Sequence, residues 1–244
     1  MRLSVHCRAV AEAFAQQLAL RARLAARLPG HHAVSLATAE QISCPIYLTK
    51  PARRLIVDDF LPASFPPDAT RRLRLAARIA LRNDPHSCRG RVFPPLVPGA
   101  NDDLGEDGAV LAFAIVEYMR RFLSRKFGMP ELREPEALLQ WLHTDDLAGE
   151  VADDLPTWAY AIPHIDAANR PSYAVSAILY LSTGGGLDFE GGRLLFHDDE
   201  ADSAIVPREG RLMAFTSGVE NPHSIERVTA GERLALSVWF KHSD

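Results

Sequence analysis

Apolar residues recur at spacings of three and four over residues 4–28, 68–82 (DATRRLRLAARIALR) and 106–127 (EDGAVLAFAIVEYMRRFLSRKF). That periodicity predicts amphipathic helices. A shorter helix is expected over 131–142, opened by Pro130. Two strand-like runs, CPIYLT at 44–49 and RLIVDDF at 54–60, interrupt the helices, and residues 83–105 read as a loop rich in proline and glycine. Near residue 155 the pattern changes to short apolar runs divided by turns. Strands are expected at 157–162, 173–182, 193–196, 203–206, 211–216, 223–228 and 232–240. Glycines at 184–186 and 191–192, and the run Pro207 to Gly210, supply turns. So many short strands at this spacing predict a sandwich or jelly roll. The fold class is therefore mostly β, with helices packed on one outer face. Residues 1–150 form a mainly helical buttress with two short strands, and 151–244 the β core of one compact unit.

Composition narrows the function classes. The chain has 244 residues, 47% hydrophobic and 24% charged, with a net charge of −4. A nucleic-acid partner would call for a basic stripe, and none is present. The longest apolar run, from Ala109 to Tyr118, is too short for a membrane helix and contains Glu117. The start, MRLSVHCRAV, lacks the apolar stretch of a secretory signal. Residues 1–36 set Arg2, Arg8, Arg21, Arg23 and Arg27 against Glu12, a composition shared with mitochondrial transit peptides, but an ordinary helix is the reading adopted. Cys7, Cys44 and Cys88 are odd in number, widely spaced and outside any CxxC, so neither a disulfide framework nor a zinc cluster is supported. A reducing, cytoplasmic setting is expected.

One constellation carries chemistry. Two imidazoles and one carboxylate on one face can hold iron(II) while leaving positions open for other ligands. Their usual trace is His-x-Asp at the end of one strand and a distant His on another. The triplet occurs three times, at His143/Asp145, His164/Asp166 and His197/Asp199, so it selects nothing by itself. His143 follows a segment read as helix. His197 lies only 26 positions before His223, too few for several intervening strands. His164 follows the strand-like TWAYAIP, and Asp166 precedes His223 by 57 positions, room for four strands. His164, Asp166 and His223 are the expected metal ligands.

Arg233 supports the choice. In GERLALSVWF, the residues Arg233, Ala235, Ser237 and Trp239 share one face of an alternating strand. A guanidinium on a buried face requires an anion, and a carboxylate suits it bidentately.

The segment MAFTSGVENPHSIERVTAGERLALSVWF, 213–240, closely resembles the barrel of leprecan-type prolyl 3-hydroxylases, within the prolyl-hydroxylase-like 2-oxoglutarate oxygenases. Phe215, Ser217, Gly218, Glu220, Asn221, Pro222 and His223 match that pattern, followed by Val228, Gly231, Arg233, Ala235, Trp239 and Phe240. SAILYL and DFEGGRLLF upstream match the family's tyrosine-bearing strand and FEGG turn. The resemblance covers about 157–241. It implies a double-stranded β-helix (cupin-like), with His164, Asp166 and His223 on iron(II) and Arg233 on the far carboxylate of 2-oxoglutarate. It places Tyr180 and, more remotely, Ser237 beside that cosubstrate. It further implies O₂ as co-reactant, ascorbate as a reductant, and succinate and CO₂ as products. Asp166 implies hydroxylation rather than halogenation. The expected substrate is a proline-like or other amino acid, free or carrier-bound, with an intracellular protein or peptide as the alternative. Asn169, Arg170 and Arg211 are candidate substrate contacts. The STGGGLD insert at 182–188 is longer than the family's turn, and it is expected to alter the mouth of the site.

Overall fold

A computed structural model describes residues 34–36, 53–83, 91–93, 95–96, 101–130, 132–143 and 163–241. The expected helix at 4–28 and strands at 44–49 and 157–162 lie outside these residues. Two sheets form the core. The smaller has the order β1 (Val34–Leu36), β8 (Asp202–Ile205), β7 (Leu194–Phe196), β10 (His223–Ile225). The larger runs β2 (Arg54–Val57), β9 (Leu212–Thr216), β5 (Tyr173–Tyr180), β11 (Val228–Lys241), β4 (Arg133–His143), β3 (Arg91–Phe93). A short β6 (Phe189–Gly191) pairs with the start of β11. This is the expected jelly roll.

Alternation along β11 separates two cores. Leu234, Leu236, Val238 and Phe240 point outward onto the helices, while Ala235 points inward with Ile178, Tyr180, Met213, Phe215, Leu194 and Phe196. The outer layer is α1 (Ala69–Asn83) and α3 (Glu106–Phe127), with a single turn α2 (Asn101–Leu104) between them. In α3 the residues Ala112, Ile115, Val116, Met119, Leu123 and Phe127 repeat at three and four and are buried. Acids open that helix at Glu106 and Asp107, Arg125 and Lys126 close it, and left-handed Gly128 caps it, all as the helix dipole favours.

Two expectations fail. Within the span 131–142 expected as helix, the described residues are not helical. They form β4, hydrogen-bonded between β11 and β3. Its burial explains the misreading. Leu138, Gln140 and Leu142 share the inward register of β11, and Ala137, Leu139 and Trp141 pack outward, so both faces are largely apolar and the period of two is hidden. The stretch 83–105 is not one loop, since it contains β3 and α2.

The glycine-rich insert at 182–188 packs at the Arg233 end of the barrel, and Arg74 grips Asp188 through two bonds of 2.9 and 3.1 Å. Gly192, next to β6, has φ +65°. A Cβ there would sit 2.8 Å from the Phe189 ring and 3.0 Å from the Arg233 Cδ. The FEGG turn is therefore bare where the arginine stem passes. Replacing Gly192 with Ala is expected to lower stability by about 1–3 kcal/mol, read as a fall in the urea midpoint. An unchanged midpoint would mean that this approach is not tight.

Candidate metal centre

His164 and His223 meet in an isolated antiparallel bridge, each backbone N–H donating to the other's carbonyl at 2.9 Å. Their rings lie 4.4 Å apart. Asp166 opens a single helical turn, α4 (Asp166–Asn169), pinned by the Ala167 N–H donating to the Ser217 carbonyl at 2.9 Å. One carboxylate oxygen is 3.8 Å from His164 Nε2 and the other is 3.8 Å from His223 Nε2. The three ligand atoms fall within 4.8 Å of one another, the one such His/Cys/Asp/Glu group among the described residues.

The supporting groups are as specific as the ligands. Ser176 Oγ, from the inward face of β5, donates to Asp166 Oδ2 at 2.5 Å and lies 2.8 Å from Ser217 Oγ. His223 Nδ1 faces the Asn221 carbonyl at 3.0 Å, which fixes that nitrogen as the donor and leaves Nε2 as the lone pair for a cation. Burial, and then neighbouring His164, push the His223 pKa down to about 4 against the pull of Asp166. The ring is therefore neutral near pH 7, the state a metal ligand needs. Phe215 and Phe196 close on it with ring centroids at 4.8 and 6.0 Å.

The other two triplets are elsewhere. His143 ends β4 with its ring 5.3 Å from that of Trp141. Buried His197 is held between Asp202 at 3.0 Å and Ser224 at 2.9 Å, and Asp199 is exposed.

Arg233 stands at the opposite end of the inner face and is 0% exposed. Its Nε donates to the Gly192 carbonyl at 3.0 Å, and its guanidinium lies 5.4 Å from the centre of the Tyr180 ring. Tyr180 is fully buried, and its hydroxyl has no hydrogen-bond partner among the described residues. Burial raises the phenol pKa, and Arg233 works against that rise, so the group stays protonated and able to donate. A buried cation beside an unsatisfied phenol is the donor set for a carboxylate. Register connects the two ends: Ser176 pairs with Trp239, Ile178 with Ser237 and Tyr180 with Ala235. Ser176 and Tyr180 are four residues apart, about 13 Å along a strand. Ser237 Oγ donates to Gln140 Oε1 at 2.9 Å, on the inward face between the two ends.

Three residues went unpredicted. Ser176 was readable as an inward neighbour of Ile178 and Tyr180. Gln140 was hidden because its strand looked helical. Ser217 was quoted only as part of a motif. Of the candidate substrate contacts, exposed Arg170 pairs with Glu136 at 2.6 Å near the metal end, and Asn169 is exposed. Arg211 is instead bound to Asp58 at 2.6 and 3.0 Å and to the Val206 carbonyl.

Residues 158–241 match the profile of the 2OG-Fe(II) oxygenase superfamily. This segment is a 2OG-Fe(II) oxygenase domain. The domain is 44% identical over 81 residues, 33% of this chain, to "2-oxoglutarate and iron-dependent oxygenase domain-containing protein 3" of Xenopus tropicalis. It is 43% identical over 68 residues, 27% of this chain, to "Prolyl 3-hydroxylase 2" of Gallus gallus. Those matches span 25% and 9% of the respective relatives. A prolyl-4-hydroxylase structure from Pseudomonas putida shares the fold, with a TM-score of 0.55 and 23% identity over 78% of this chain and 93% of that one. These likenesses bear out the double-stranded β-helix expected from the resemblance. Members of the superfamily use iron(II), 2-oxoglutarate and O₂.

Proposed function

We propose that the protein is an iron(II)- and 2-oxoglutarate-dependent hydroxylase of an amino-acid-like C–H bond, with a proline-like ring as the favoured substrate. The carrying observation is the placement of two donor sets at opposite ends of the inward face of β5 and β11. His164, Asp166 and His223 would hold the iron through two imidazole nitrogens and a carboxylate. Arg233 and the protonated Tyr180 would hold the far carboxylate of 2-oxoglutarate, leaving its other end to face the metal. When bound, the metal with O₂ supplies the oxidation, in which C–H, O₂ and 2-oxoglutarate become C–OH, succinate and CO₂.

The protein's own contribution is orientation and exclusion of water. Ser176 and Ser217 steady Asp166. Phe196 and Phe215 dry the face of His223. Ser237 and Gln140 offer polar contacts beside the middle of the cosubstrate.

The rim beside Asp166 supports the substrate reading. The rings of Tyr173 and Trp239 stack at 5.9 Å and 17°, a flat surface suited to a saturated ring. Tyr173 donates to Glu136, which also pairs with Lys241 at 3.0 Å and with Arg170. Charges of both signs therefore border the stack, as a zwitterionic amino acid would require. The curated relatives named prolyl 3-hydroxylases favour the same ring. A peptide is the second reading, favoured by the exposed position of Arg170.

The test is a mass-spectrometric screen of free amino acids and short proline peptides with iron(II) and 2-oxoglutarate. A gain of one oxygen atom on proline or a ring homologue, matched by equimolar succinate, is expected. Oxidation confined to peptides would select the second reading. Turnover coupled only to compounds without an amino-acid skeleton would overturn both.

A further inference from the structure

Arg54 is one of the more heavily engaged side chains in the barrel, and no metal ligand touches it directly. It lies on edge strand β2, paired with Phe215 of β9, and its side chain is 10% exposed. Its two terminal nitrogens donate to both Asp198 oxygens at 2.6 and 2.8 Å, and its Nε donates to Asn221 Oδ1 at 2.7 Å. The guanidinium carbon sits 3.8 Å over the Phe196 ring. Phe196 in turn is the register partner of His223.

Asn221 is the intermediate. Its Nδ2 donates to the carbonyl and to the hydroxyl of Thr216, both at 2.9 Å. Arg54 has only donors to offer, and the Thr216 carbonyl can only accept, so the amide has one satisfied orientation. With the side chain locked, the turn from Ser217 to Pro222 is held, and the Asn221 N–H donates to the Gly218 carbonyl at 3.1 Å. The carbonyl of this same Asn221 takes the His223 Nδ1 proton. Asp198 neutralises the cation, so Arg54 contributes geometry without adding a bare positive charge beside the metal centre.

We propose that Arg54 is a positioning residue for the metal ligand His223, acting through Asn221. This rests on the reading of His164, Asp166 and His223 as the metal site. Arg54 sets the amide, the amide sets the turn, and the turn's carbonyl sets the tautomer and aim of the imidazole. A partner bonded directly to a metal ligand changes metal affinity by about 10- to 100-fold; Asn221 is that partner, and Arg54 acts one step behind it.

The test titrates cobalt(II), followed by its visible absorption, into metal-free full-length protein. The variants are Arg54→Gln, Asn221→Ala, the double variant and Arg54→Lys, and unfolding midpoints are taken alongside. Each of the first two is expected to raise the cobalt(II) Kd about tenfold or more. The double variant should be no weaker than the weaker single, because both act along one path. The KM for 2-oxoglutarate at saturating iron should stay within about twofold of the parent, since Arg233 and Tyr180 are untouched. Arg54→Lys should recover part of the loss, because one ammonium can serve Asn221 or Asp198 but lacks the fork for both. That variant also carries the test if Arg54→Gln does not fold. An unchanged Kd in folded Arg54 variants, or penalties that multiply in the double variant, would overturn the proposal. No cobalt(II) binding by the parent protein would instead overturn the metal reading beneath it.

Discussion

Replacing Asp166 with Ala is expected to abolish iron-dependent turnover of 2-oxoglutarate. Asp166 is the only anion of the three-residue group, and its two oxygens each face one imidazole at 3.8 Å. Removing it leaves only the two imidazoles, and it takes away the carboxylate to which Ser176 donates. A thermodynamic readout separates metal loss from misfolding. A metal that binds only the native state stabilises it by about 2.7 kcal/mol when its free concentration is a hundred times its Kd. The parent should therefore show a metal-dependent rise in Tm, and Asp166→Ala should lose that rise while still unfolding cooperatively without metal. His164→Ala should behave the same way. Full turnover in either variant would mean that the ligands lie elsewhere.

Arg233→Ala is expected to give the next largest effect, and on a different parameter. The guanidinium is wholly buried at the far end of the inner face, beside a phenol kept protonated by its surroundings. A hydrogen bond to a charged partner in such a place is worth about 1.5–3 kcal/mol. That corresponds to a roughly ten- to hundredfold rise in the 2-oxoglutarate requirement. Iron affinity should hold, since no metal ligand is touched. Arg233→Lys should fall between, because it keeps the charge but loses the planar fork. A KM that does not move in either variant would place the anchor at another residue.

Much of this site was legible because it obeys local rules. The run of strands between them marks His164, Asp166 and His223 as one candidate set, and β5, β9 and β11 overlap the strands expected at 173–182, 211–216 and 232–240. The inward row of Arg233, Ala235, Ser237 and Trp239 was readable from a period of two and is present. What escaped reading has physical causes. Strand β4 is buried on both faces and built from residues that also favour helices, so Gln140 could not be assigned to the inward face. β6 is three residues long and ends at a glycine with φ +71°. β11 runs unbroken through Gly231, also left-handed at φ +74°, where a Cβ would stand 2.1 Å from the Asp188 carbonyl oxygen. A glycine there reads as a strand end but serves the close approach of the insert. Arg54 and Asn221 matter through contacts 167 positions apart, which no local pattern reports.

A metal held by His164, Asp166 and His223 would act together with 2-oxoglutarate anchored at Arg233. Succinate formation by the purified protein in air tests it most directly, measured with iron(II) and 2-oxoglutarate and again with either iron or O₂ withheld. Even without the natural substrate, slow succinate release that needs all three is predicted, with Asp166→Ala at background. No succinate under any condition, together with no iron-dependent binding of 2-oxoglutarate, would contradict it.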